Sequence, residues 1–118
     1  MLEITYKNNN VKEYCTDFRL IQRKLGIQLA KKISQRMDEL KSCNNVYSLL
    51  TCGIDNPHLL IGDKEGCIGW DLTNTIRLII KFCESFSGKD MEESKNIVEV
   101  EIEGVIDYHG GNRKWIIN

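Results

Sequence analysis

The stretch Pro57–Phe82, PHLLIGDKEGCIGWDLTNTIRLIIKF, is where the chain changes period. Leu59 to Ile61, Cys67 to Leu72 and Arg77 to Phe82 are short runs rich in β-branched, aromatic or alternating residues. Turn-forming residues, Gly62-Asp63 and Thr73-Asn74, separate them. Such runs read as strands joined by tight connections. A fourth run, Ile97 to Val105, continues the pattern, so the second half of the chain reads as an antiparallel meander. Ser85 to Asn96, charged and without period, reads as a long hairpin loop within it.

Upstream the period is helical. Ile21, Leu25, Leu29, Ile33, Met37 and Leu40 recur every three or four residues and form one apolar stripe. Helix begins at Val11 after the Asn8-Asn9-Asn10 cap, and Gly26 after Lys24-Leu25 ends the first arm of a helical hairpin. The second arm runs from Ile27 to Ser42, and Asn44-Asn45 starts a shorter turn from Val46 to Leu50. At the front, Leu2, Ile4 and Tyr6 alternate with polar residues as a half-buried strand does. The order is one strand, helices, then four strands. That order predicts an α+β fold, with an N-terminal strand and helical hairpin packed on a mainly antiparallel twisted sheet. At 118 residues and 42% hydrophobic content, residues 1–118 are expected to form a single domain.

Composition excludes several classes. A net charge of −1 and a pI near 6.1 do not mark a generic nucleic-acid binder. The charge is uneven, however. Residues 11–41 hold eight Lys or Arg against four acidic residues, and residues 84–107 hold eight acidic residues against two lysines. Lys12, Arg19, Arg23, Lys24, Lys31, Lys32 and Arg36 would ordinarily be a solvated helix face. The five cysteines, an odd set with no Cys-x-x-Cys pair, read as reduced, packed thiols and suggest neither a zinc site nor a disulfide framework. No apolar run approaches the roughly 18 residues that span a bilayer, and the N-terminus has no leader pattern, so a cytoplasmic protein without a membrane partner is expected.

Two histidines carry the chemical interest. His58 opens the glycine-containing hairpin pattern and His109 closes the last strand as Val105-Ile106-Asp107-Tyr108-His109. Imidazole is the side chain suited to proton transfer near neutral pH, and Arg77 offers a fork that holds a phosphate by two parallel hydrogen bonds. A bland reading stands beside this one, with Arg77 paired across the sheet to Glu99, Glu101 and Glu103. Trp70, Leu72, Ile79 and Phe82 read as core.

The ordered set Pro57-His58-x-Leu60-x-Gly62-Asp63-x-x-Gly66, Trp70-x-Leu72, Arg77-Leu78-Ile79 and Asp107-Tyr108-His109 resembles HigB-type killer toxins of the RelE superfamily. Including the helical segment Asp17-Phe18-Arg19 to Leu40, the resemblance covers most of the chain. It implies a RelE-like fold and the toxin of a type II toxin–antitoxin system. It further implies an endoribonuclease that cleaves mRNA on the ribosome without metal or organic cofactor, silenced by a helix-turn-helix antitoxin of the HigA type.

By position the resemblance puts the active-site residues at His58, Arg77, Asp107, Tyr108 and His109, with the order of acid and base between the histidines left open. Asp107 would orient or ionise a neighbour. Lys12, Arg19, Arg23, Lys24, Lys31, Lys32, Lys64 and Arg113 are the candidate RNA contacts. Two departures have physical content. Thr73-Asn74-Thr75-Ile76 replaces a turn with a glycine and an aromatic, so the turn would rest on the tolerance of Asn for a left-handed backbone and a stacking ring is lost. Glu65 stands where similar sequences carry a lysine and would repel phosphate. Both departures, with the low pI, admit the alternative of a catalytically weak, antitoxin-binding regulatory module.

Overall fold

The computed structural model describes residues 1–62, 66–82 and 90–118. Lys64 and Glu65, and the first part of the loop expected over 85–96, lie outside the described residues. The chain runs β1 (Glu3–Tyr6), α1 (Asn9–Thr16), α2 (Phe18–Leu25), α3 (Ile27–Ser42), α4 (Val46–Leu50), β2 (His58–Leu59), β3 (Cys67–Asp71), β4 (Ile76–Phe82), β5 (Glu99–Asp107) and β6 (Lys114–Ile117). Helices cover one face of a mainly antiparallel sheet of order β1-β5-β4-β3-β2, with β6 also paired to β5. The meander β2 to β5 is as the sequence predicts. β1 joins it parallel to β5, Glu3 opposite Glu99 and Tyr6 opposite Ile102, since the helices intervene and bring the chain back in the same direction.

Side-chain oxygens set the helix starts. Asn8 accepts from the Val11 amide at 2.9 Å and Asn45 from the Ser48 amide at 2.8 Å. The single helix expected from Val11 to Leu25 is in fact two. Asp17, at φ −110 and ψ 96, ends α1 and its carboxylate caps α2 by accepting from the Leu20 amide. Asp gains more as an N-cap than inside a helix, and the break turns α2 so that Ile21 reaches the core. Gly26, at φ +90, makes the sharp link to α3.

The stripe read from sequence does the packing. Ile21, Leu29, Ile33, Met37 and Leu40 bury against Trp70, Leu78, Ile80, Val100, Ile102 and Val105. Each fully buried aliphatic side chain contributes about 1.5–3 kcal/mol from the area it removes from water. Arg36 corrects the solvated-face expectation, because its side chain is 0% exposed, between α3 and the sheet. Cys15 and Cys43 are buried, and burial pushes the Cys15 thiol up to about 12, so it stays a protonated, packed group. Among the described residues no helix is long and apolar enough to cross a membrane.

The C-terminal residues are a strand rather than a loose tail. β6 pairs antiparallel with the end of β5, Trp115 opposite Ile106 and Ile117 opposite Val105. Lys7 and Asn10 donate to the Asn118 side chain and backbone carbonyl, at 2.8 and 3.1 Å. Gly104 is what admits β6. Its φ is +145, and a Cβ there would lie 2.1 Å from the Ile117 carbonyl oxygen. Next to it Glu103 falls in a register shift where Ile79 faces Gly104 but Ile80 faces Ile102. One Glu103 oxygen, Oε2, is buried without a hydrogen-bond partner. Burial, aided by the neighbouring Glu101 carboxylate and opposed by Lys81 and Lys7, raises its pKa to about 7.

Two outcomes follow. Gly104→Ala will destabilise the fold by on the order of 3 kcal/mol in urea denaturation, from backbone strain and overpacking together. A loss within the roughly 0.5 kcal/mol of an ordinary surface change would show that β6 does not pass so close. The folded state holds a proton on Glu103 that the unfolded chain has already released. Stability from this group is therefore full below the ordinary carboxylate range and is lost as pH rises through about 7. Glu103→Gln will flatten that decline between pH 4.5 and 7, followed as denaturation midpoint against pH; an unchanged slope would assign the decline to other groups.

Candidate active site

Side chains alternate along β4: Leu78, Ile80 and Phe82 join the helix-covered core, while Ile79 packs with Cys67 and Ile106 in a smaller cluster on the other face, edged by Leu60, Tyr108 and Trp115. Three of the sequence-derived candidates, His58, Arg77 and Tyr108, meet on that second face. In the ladder His58 stands opposite Gly69, and Asp71 opposite Arg77, two residues further along β3. Gly69 lies beneath both His58 and Arg77. A Cβ there would be in ordinary contact, 3.5 Å, with His58 Cε1 and Arg77 Cδ, and would press on Leu60 Cδ2 at 3.0 Å, so a side chain at this position would crowd Leu60 first.

Arg77 is held on two sides. Its Nε donates to Asp71 Oδ1 at 3.0 Å, and its guanidinium lies 4.8 Å from the centre of the Tyr108 ring. With Nε engaged, the terminal nitrogens are the remaining donors of the fork. The pairing with Glu99, Glu101 and Glu103 weighed from sequence does not form. Arg77 faces Ile106 in the ladder, and its carboxylate partner is Asp71.

His58 Nδ1 lies 2.8 Å from the carbonyl oxygen of Asn56. A carbonyl only accepts, so Nδ1 carries the proton and, in the neutral ring, Nε2 carries the lone pair. His58, Leu59, Leu60, Ile61, Arg77, Tyr108 and Arg113 line a cavity of about 360 Å³.

Not every candidate enters it. β5 ends at Asp107, and the next residue, Tyr108, turns at φ −99 and ψ 16 with its amide donating to the Thr75 carbonyl at 2.7 Å. Tyr108 lies two residues beyond Ile106, which packs in the cluster on this face, so strand alternation already sets it on the side of Arg77. Asp107 spends a carboxylate oxygen on the backbone amide of His109 at 2.8 Å, and so orders a turn rather than a titrating neighbour. His109 is exposed in that turn and does not line the cavity.

The basic set disperses as well. Lys12, Arg19 with Arg23, and Lys32 border three other surface cavities, Lys24 and Lys31 are exposed, and Arg113 alone of the described set lines this one. Asn74 is not left-handed as expected. The turn before β4 is built by the Thr73 hydroxyl, which accepts from the Thr75 and Ile76 amides at 3.3 and 3.1 Å. Among the described residues no cluster of three His, Cys, Asp or Glu side chains is placed to hold a metal ion.

Sequence reading missed Gly69 and Asp71. Gly69 had a signal, an isolated glycine inside a strand pattern, which marks close approach to its backbone. Asp71 had none, because its role depends on the register of β3 against β4.

No family model and no curated protein matches this sequence. Among solved structures, that of the YoeB–YefM complex from Staphylococcus aureus aligns over 92% of this chain and 98% of that one, with TM-score 0.53 and 18% identity. The fold is RelE-like. A YoeB/ParE toxin from Agrobacterium tumefaciens aligns over 86% of this chain and 92% of that one, with TM-score 0.49 and 14% identity. At such identities the likeness is one of fold.

A double-mutant cycle tests the Arg77 clamp. The Asp71–Arg77 pair is about a third exposed on each side, 31% and 32%, so solvent screening leaves a coupling of about 0.5–1 kcal/mol between Asp71→Ala and Arg77→Ala in urea denaturation. Additive losses would show that the pair does not persist in solution.

Proposed function

We propose that the chain is a toxin of the RelE superfamily acting as a metal-independent endoribonuclease on mRNA bound to the ribosome. The observation that carries this reading is the convergence of His58, Arg77, Tyr108 and Arg113 on one cavity. RNA cleavage of this kind requires a base for the 2′-hydroxyl proton, cations for the charged phosphorane and an acid for the leaving 5′-oxygen. His58 takes the proton on Nε2 as the 2′-oxygen attacks phosphorus. The terminal nitrogens of Arg77, with Arg113, hold the phosphate oxygens. As the bond from phosphorus to the 5′-oxygen breaks, that oxygen takes its proton from the open side of the cavity, where the exposed turn carrying His109 follows the lining residue Tyr108. The products are a 2′,3′-cyclic phosphate and a free 5′-hydroxyl.

The HigB-like sequence pattern and the likeness to a YoeB structure solved with YefM support an antitoxin partner for this chain as well. We assign that partner to the helix-turn-helix HigA type, and place the toxin in the cytoplasm where its mRNA substrate is translated. The second reading, a catalytically weak antitoxin-binding module on the same fold, is favoured by the pI near 6.1 and by basic residues scattered away from the cavity.

Induced expression in a bacterial host separates the two. Native chain will arrest growth and create new mRNA 5′ ends. His58→Ala, Arg77→Ala and His109→Ala will each lower the cleavage rate of purified ribosome-bound mRNA by about 100-fold or more. Normal growth and intact mRNA from soluble, folded native protein would sink the nuclease reading. Arrest that survives His109→Ala would remove that residue from the acid role.

A further inference from the structure

The geometry points to Arg36, buried on α3 behind the sheet, as the positioning residue that holds both His58 and Arg77 in place. The proposal deepens the nuclease reading, since it names what orients the same site. Four observations lead to it. The Arg36 guanidinium is fully buried, lies 5.3 Å from the Trp70 ring centre, and pairs with Glu39 at 3.1 Å. Its second ion pair is to Asp55, through the other terminal nitrogen. Its Nε donates to the backbone carbonyl of Asp71 at 3.3 Å. Asp55 and Asn56 are the non-glycine residues with positive φ among those described, at +47 and +56.

Two consecutive left-handed residues are strained, and the second precedes Pro57, where the preferred backbone is extended. Only surrounding contacts keep such a segment in one shape. Arg36 supplies the ion pair to Asp55, the Trp70 indole donates to the Ile54 carbonyl at 2.7 Å, and the Asp71 amide donates to the Asp55 carbonyl at 3.2 Å. The product of that shape is the Asn56 carbonyl aimed at His58 Nδ1. One arm therefore runs from Arg36 through Asp55 and Asn56 to His58. The other runs from Arg36 through the Asp71 backbone to the Asp71 carboxylate, which grips Arg77. A rigid planar fork with donors on several sides serves both arms, and a lysine ammonium at the end of a flexible stem does not.

The test reads His58 directly. In ¹⁵N spectra of the imidazole, native His58 in its neutral form will show a protonated Nδ1 and a bare Nε2. Asp55→Gly tolerates the left-handed backbone without strain, so it removes the ion pair without distorting the loop, and leaves the buried Arg36 with Glu39 as its remaining carboxylate partner. It will move His58 to a mixture of tautomers and lower kcat for RNA cleavage by about 10-fold with little change in KM. Arg36→Gln will do the same where it folds, and Arg36→Lys will not restore the native tautomer.

A native tautomer in folded Asp55→Gly would overturn the proposal, whatever happens to cleavage and whether or not the Arg36 variants fold. A shifted tautomer in a protein whose native form cuts no RNA would uphold the positioning role of Arg36 and fail the nuclease reading instead.

Discussion

A guanidinium without exposure must find its partners inside the protein, and that requirement organises the middle of this molecule. Removing one ion from water costs several kcal/mol even after relaxation, and the return comes only if each donor meets an acceptor. Arg36 donates to the Glu39 carboxylate one helical turn away and to the Asp71 carbonyl on β3, while its Nη2, which makes no hydrogen bond, is ion-paired with the Asp55 carboxylate in the loop before β2. Those three partners belong to a helix, a strand and a loop. Their arrangement fixes how α3 sits on the sheet, and with it how Ile33, Met37 and Leu40 meet Trp70 and Leu78 in the core.

The same requirement explains a backbone that no local preference would produce. Left to itself, Asp55-Asn56-Pro57 would not place two residues in the left-handed region ahead of a proline. It does so where carbonyls and a carboxylate are claimed from the core side by Arg36, Trp70 and Asp71. Strain at this position stands beside His58, so the contacts that hold the loop also hold the ring. The candidate site thus has an inner side, built on the buried Arg36 and Trp70, and an open side lined by His58, Arg77, Tyr108 and Arg113.

Emptiness matters as much as contact. Gly69 contributes no side chain, and His58 and Arg77 both pack beside the space its Cβ would take. Gly104 contributes none either, and the gap there admits β6, whose Trp115 edges the apolar cluster beneath the site. Gly69 matters through the side chains packed against it, whereas Gly104 is required both by its φ of +145 and by the Ile117 carbonyl beside it. The Glu103 irregularity beside Gly104 is the local consequence, with one carboxylate oxygen buried and unpartnered at the edge of the open face.

Sequence by itself determined the α+β class, the meander from β2 to β5, the ends of α3 at Ile27 and Ser42, the caps at Asn8 and Asn45, and the membership of His58, Arg77 and Tyr108 in one candidate site. These follow from periodicity, from short-range capping chemistry, and from a motif whose order survives in one dimension. Tertiary structure decided the rest: the break at Asp17, the parallel partner of β1, strand β6, the burial of Arg36, the choice of Asp71 over the β5 glutamates as partner to Arg77, and the exclusion of His109 from the cavity. Each depends on residues far apart in the chain meeting in a particular register, and a charge or a glycine looks the same in a sequence whether it faces water or another strand.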